Sequence, residues 1–232
     1  MLLTRPLGIK EAVNPVKSSG GDDPETLAAA RTNAPLGLLT LGRTVSLSDY
    51  EDFCKAFAGV AKARAISVSR NGVPGIVINI AGPDGELVDA AGKTYENLLS
   101  ALTNAGDPNT RFTVLPYRPA YFKVDAGLII HEDYQADLVL EAARQSMRDH
   151  FSFDARAFNQ PVHLSEVIHV LQQNEGVIAV DVNYLYRSDA APVSPPPRSI
   201  MPSVVSGSLA ESVGAELITL DPAPLDQLRV KA

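Results

Sequence analysis

Two stretches of this chain, 117 positions apart, carry one pattern, and that repetition limits the fold more than any other feature. Val45, Leu47, Ser48, Gly59 and Val60 recur at this offset as Val162, Leu164, Ser165, Gly176 and Val177. The apolar stripe between them repeats as well, because Tyr50, Phe53 and Cys54 map onto Val167, Val170 and Leu171. A shared cap, stripe and glycine stop is one helix-and-strand unit used twice. Segments 45–65 and 162–182 are therefore expected to superimpose, with Phe53 and Val170 in equivalent buried positions.

The first copy sits in a regular run. A short strand at 43–45 meets Ser48-Asp49-Tyr50-Glu51, which has capping-box spacing. Tyr50, Phe53, Cys54 and Phe57 then follow at i, i+3, i+4 and i+7, one apolar face of a helix that Gly59 stops. Strands are expected at about 60–69 and 75–81 around the turn Asn71-Gly72, then a helix from Thr94 through Leu98 and Leu102 to Gly106, then a strand at 111–117. The order β-α-β-β-α-β suggests a ferredoxin-like split βαβ layer.

The second copy opens at Tyr121, where Phe122, Val124, Ala126, Leu128 and Ile130 alternate with polar or small residues as a half-buried strand does. A helix at about 135–151, a second after Val162, and a strand at 177–186 complete it. The fold class expected is thus α+β, two tandem ferredoxin-like units with extended terminal arms. The domains are 1–35 (an arm with a short helix opened by Asp23-Pro24-Glu25), 36–118, 119–187, and a Pro/Ser-rich linker and arm at 188–232 containing Pro195-Pro196-Pro197. Both arms carry short apolar anchors, Leu2, Leu3, Leu7 and Ile9 in one and Leu217, Ile218, Leu220 and Leu225 in the other. They read as docking arms that order on a neighbouring subunit. The alternative for 215–220 is a strand packed back on its own chain.

Composition narrows function by exclusion. A formal net charge of −7 argues against nucleic-acid binding, which needs a basic face. No apolar run reaches the roughly 18–20 residues of a membrane helix, and the start is not a signal peptide. The single cysteine, Cys54, allows no internal disulfide; its place on an apolar stripe favours core packing over a nucleophile. His131, His150, His163 and His169 form no H-x-x-x-H pair. Ser18-Ser19-Gly20-Gly21 lacks the strand and lysine of a phosphate loop, Pro83-Asp84-Gly85 is a turn, and Glu132 and Asp133 sit where capping explains them. The expectation is no catalytic, cofactor-binding or metal-binding residues, no cofactor and no small-molecule substrate.

Several short motifs, in order, resemble one family. They are Asn14-Pro15, Ser19-Gly20-Gly21-Asp22-Asp23-Pro24-Glu25-Thr26, Leu41-Gly42-Arg43-Thr44-Val45-Ser46-Leu47-Ser48-Asp49-Tyr50-Glu51, Ala105-Gly106-Asp107-Pro108, Tyr117-Arg118-Pro119, Phe151-Ser152-Phe153-Asp154-Ala155-Arg156, and Glu216-Leu217-Ile218-Thr219-Leu220-Asp221-Pro222. The chain resembles the C-terminal portion of the baseplate J-like family. The resemblance implies a non-catalytic wedge component of contractile phage tails and injection systems, cytoplasmic until it assembles. It also implies other wedge subunits, or copies of itself, as partners. Members of that family are longer, which makes the chain a fragment or a truncated product on this reading. A small-molecule binding module or an enzyme on tandem ferredoxin-like units is the competing class, since fold does not fix function.

Overall fold

Ser46, two residues before the expected cap, starts the first helix, α1 (Leu47–Lys55). The Ser46 hydroxyl accepts from the Asp49 N–H at 3.2 Å, and the Asp49 carboxylate accepts from the Ser46 and Val45 N–H groups at 2.8 and 3.0 Å. Those backbone bonds hold the Asp49 carboxyl below its ordinary range. Glu51, the other half of the expected box, instead accepts the N–H of Ala65 at 3.0 Å. The computed structural model describes residues 43–70, 73–203 and 213–231, with Leu27 and Arg31 besides. Apart from those two positions, which are helical, the docking arm at 1–35 with the short helix that Asp23-Pro24-Glu25 is expected to open lies outside them, as does the turn Asn71-Gly72.

After α1 come β1 (Lys62–Arg70), β2 (Val73–Ala81), α2 (Lys93–Ala105) and β3 (Phe112–Pro116). They form a three-stranded sheet in the order β1-β2-β3, with β1 antiparallel to β2 and β3 parallel to it. Ile78 and Ile80 of β2 face Tyr50 and Cys54 of α1 and Leu98 and Leu102 of α2, all essentially inaccessible. Among the described residues this is a three-stranded sheet and not the four-stranded ferredoxin-like order. The expected strand at 43–45 contributes one bridge, Thr44 to Gly106, and β3 pairs directly with β2. Asp49 has taken the Val45 and Ser46 N–H groups into the helix cap, so only Thr44, whose N–H reaches the Ala105 carbonyl at 3.1 Å, remains to pair.

The second lobe begins one residue after β3 with β4 (Arg118–Ile130), whose Ala120, Phe122, Val124, Ala126 and Leu128 are buried on one face. Next come α3 (Ala136–His150), β5 (Val162–His163), α4 (Leu164–Gln172), β6 (Val177–Arg187), β7 (Ser199–Ile200), β8 (Glu216–Leu220) and β9 (Leu228–Val230). Antiparallel β6 lies along one side of β4, while β8 and then β9 lie parallel along the other. Ala143 and Met147 of α3 and Val167 and Leu171 of α4 close the core over β4. The architecture is α+β.

Two expectations for the C-terminal region need correction. Residues 216–220 and 228–230 are not a free docking arm in this chain, because they are strands of its own second sheet. Leu217, Ile218, Leu220 and Leu225 are buried there, and apolar burial of that extent outweighs the cost of ordering a short strand. The linker at 188–207 also contributes to pairing, since Ser199 and Ile200 bond to His163 and Val162.

The repeat, by contrast, is visible element by element. Helices Leu47–Lys55 and Leu164–Gln172 hold to the 117-residue offset at both ends, and each leads into a strand. Gly59 and Gly176 share a left-handed backbone, φ +87° and +89°, a conformation that penalises any Cβ. Asp49 and Glu166 both return a carboxylate to the N-cap N–H, at 2.8 and 3.4 Å. The stripe differs in one detail: Val170 is 5% exposed, whereas Phe53 is only half-buried against its core.

Candidate functional site

Polar side chains converge where the two lobes meet, on the side of the β3–β4 run that carries β2 and β8. Asn79, an isolated polar residue in the apolar strand β2, is fully buried, and its Oδ1 accepts from the Ala215 N–H at 2.7 Å. The Tyr117 hydroxyl donates to the Gly85 carbonyl at 2.5 Å, and its ring packs between Phe153 and Phe158. Lys62 of β1 reaches across to the Asp154 and Arg156 carbonyls at 2.9 and 2.6 Å and lies over the Phe153 ring at 4.9 Å. Burial pulls the Lys62 pKa down, with Asp154 opposing. Gly214 is required by close approach, because a Cβ there would stand 2.1 Å from the Pro116 carbonyl oxygen.

The outer edge of β8 is closed by the loop after α3. Glu216 O accepts from the Asn159 N–H at 2.8 Å, Ile218 O from Arg156 Nε at 3.3 Å, and the Leu220 N–H donates to Phe151 O at 3.2 Å. Arg156 is 2% exposed and makes four polar contacts in all, adding the carbonyls of Gln160 (3.1 Å) and Pro161 (2.6 Å) and the Glu166 carboxylate (3.0 Å). A buried guanidinium is tolerable only when its donors are satisfied in this way. The Glu216 side chain, 5% exposed, accepts from Arg118 at 2.9 Å, from Arg187 at 2.8 Å and from the Ser203 N–H at 2.7 Å. Burial opposes its charge, but Arg187 and Ser203 outweigh that and hold its pKa below the ordinary glutamate value.

The residues singled out from sequence do not converge on one site. His131 pairs with Asp133 at 3.4 Å and packs against Tyr134, and His150 meets Glu166 at 3.1 Å. His163 precedes α4, and His169 lies in its last turn. Among the described residues no three His, Cys, Asp or Glu side chains stand close enough to hold a metal ion. Cys54 is fully buried, and burial pushes its thiol up to about 12. A groove of about 290 Å³ opens at the seam, lined by Tyr117, Tyr121, Arg148, Phe153 and Asp221 among others. Lys62, Arg156 and Glu216, which do most of the fastening, give no warning in sequence, whereas Asn79 inside Ile76-Val77-Ile78-Asn79-Ile80 does.

The seam joins two lobes, and the first of them matches a known family. Residues 42–115 match the baseplate J-like central domain. This baseplate J-like segment spans α1 to β3 and so stops at the last strand of the first sheet. Among solved structures, a chain of the anti-feeding prophage baseplate, determined by electron cryo-microscopy with sixfold symmetrisation, is similar at TM-score 0.53 and 14% identity. The likeness covers 83% of the present chain and 42% of that one, so the chain spans less than half the length of this structural relative. It therefore extends the shared fold past the family match into the second lobe. No curated protein matches the sequence.

Proposed function

We propose that this chain is a structural subunit of the baseplate of a contractile tail or injection system, working in the wedge through protein–protein contacts. The match of residues 42–115 to the baseplate J-like central domain carries the reading. The two lobes, residues 43–116 and 118–231, act as one rigid spacing element, supported by the bonds of Lys62 and Asn79 across the seam and by the Tyr117 ring packed on Phe153 and Phe158. The partners are other wedge subunits or further copies of the chain, met in the cytoplasm before the particle is complete. Residues 1–35 supply the docking arm. The role is non-catalytic and needs no cofactor, in keeping with a polar seam whose Lys62, Arg156 and Glu216 are committed to internal bonds.

The test is to tag the chain in its producing cells, purify intact tail or injection particles, and locate the tag by electron microscopy. The expected result is a fixed number of copies per particle at the end of the tail that meets the target. Particles that assemble fully and contain none of the tagged chain would end the proposal.

A further inference from the structure

We infer that the second lobe is a permuted copy of the first: one scaffold of three strands and two helices, threaded by the chain in two different orders. The inference goes beyond the 117-residue repeat, which covers only one helix and one strand of each lobe, and it does not depend on where the chain assembles.

The sheets supply the first argument. In the first lobe the central strand β2 has an antiparallel neighbour, β1, on one side and a parallel neighbour, β3, on the other. In the second lobe the central strand β4 has antiparallel β6 on one side and parallel β8 on the other. The helices match in the same way. Each antiparallel edge strand is entered from the helix that packs on it, α1 onto β1 and α4 onto β6. Each central strand leads into the other helix, β2 into α2 and β4 into α3. In both lobes the two helices share one face of the sheet, since Cys54 and Leu102 join one core with Ile78, and Leu171 and Met147 join the other with Leu128.

Within this set of three strands and two helices only the threading differs; β5, β7 and β9 are additions of the second lobe. The first lobe runs α1-β1, then β2-α2-β3, so the helix–strand piece comes before the crossover. The second runs β4-α3, then α4-β6, then β8, so the same piece lies inside the crossover. The repeated sequence marks that movable piece, and the shared cap carboxylates and left-handed glycines show that it is the same piece in both places. The ends needed for either route already lie together in the first lobe. Thr44 bonds to Ala105 at the end of α2, and β1 ends at Arg70, opposite Val73. A connection from Arg70 to β3 need only pass the end of β2, two strand spacings or about 10 Å.

The experiment rewires the full chain. Residues 43–70 are moved to between Gly106 and Arg111 with short Gly/Ser joints, giving the first lobe the threading of the second; a control carries the same joints in the native order. Both proteins are followed by far-ultraviolet circular dichroism and urea unfolding. The expected result is a rewired chain with the control's spectrum and a single cooperative transition, its midpoint lowered by no more than the control's own shift from the native chain. An unfolded rewired chain beside a folded control would overturn the inference. Should the joints alone unfold the control, an experimental structure of the native chain decides. β1-β2-β3 with α1 and α2 must then superimpose on β6-β4-β8 with α4 and α3, placing Gly59 on Gly176; helix pairs on opposite faces of the two sheets would overturn it.

Discussion

Arg156 shows how much can rest on one side chain in a lobe of this size. Its guanidinium satisfies three carbonyls and the Glu166 carboxylate from a position almost closed to water. Replacing it with methionine keeps most of the apolar stem but strands those acceptors. The expected loss is about 3–5 kcal/mol, the range for removing one partner of a buried charge pair, read as a lower urea midpoint. Cys54 makes the opposite kind of prediction. With its thiol pushed up to about 12 and no exposed surface, it should ignore a thiol-reactive dye at pH 8 in the native chain and react at once in urea. The stripe in the sequence already placed Cys54 in the core. It could not place Arg156, because an arginine between Ala155 and Ala157 reads like any surface charge until the strand it serves, 60 positions later, is known.

Between elements, the most informative contact is the one that ties β8 to its surroundings through Glu216. Its folded pKa is held below the unfolded value, so the stability it adds is fully present above the ordinary glutamate range. That stability is lost as pH falls through the lowered folded pKa. Acid unfolding of the native chain should therefore steepen below about pH 4.5, and Glu216→Gln should be less stable at neutral pH yet lose less on acidification. A parallel pH dependence in the two proteins would show that Glu216 is not the group responsible. Local signals (apolar periodicity and a carboxylate near each N-cap) made the helix starts legible to within a residue or two, whereas α1 and α4 end at Lys55 and Gln172, short of the glycines expected to stop them. Their starts shifted because two boxes competed for α1, and Glu51 was drawn to the Ala65 N–H, a partner that no local pattern reveals. The same capture of N–H groups by Asp49 reduced the expected strand at 43–45 to one bridge, and with it the ferredoxin-like order.

For the whole molecule, the second lobe is closed by strands from the far end of the described chain. Backbone amides of 216–220 should be strongly protected from hydrogen exchange in the free protein, as members of a parallel pair with β4. Rapid exchange there before assembly, and slow exchange after it, would instead restore the docking-arm reading. Periodicity could identify Glu216-Leu217-Ile218-Thr219-Leu220 as a strand but not choose its partner, because pairing across about 98 positions leaves no mark in either segment.

That long-range pairing also sets a schedule. β4 is made roughly 90 residues before β8, so at the usual 5–20 residues per second a growing chain waits several seconds with one side of its central strand bare. Through that interval Phe122 has β6 and Phe151 for neighbours while Ala120 has no paired strand, and the edge awaiting β8 is a template for any other extended segment nearby. The first lobe, whose strands all lie within 62–116, suffers no such delay and can fold as it leaves the ribosome. A ribosome that stalls or stops ahead of residue 216 would release a half-finished protein: one sound lobe joined to a sticky one, which is the kind of product that chaperones hold and proteases remove.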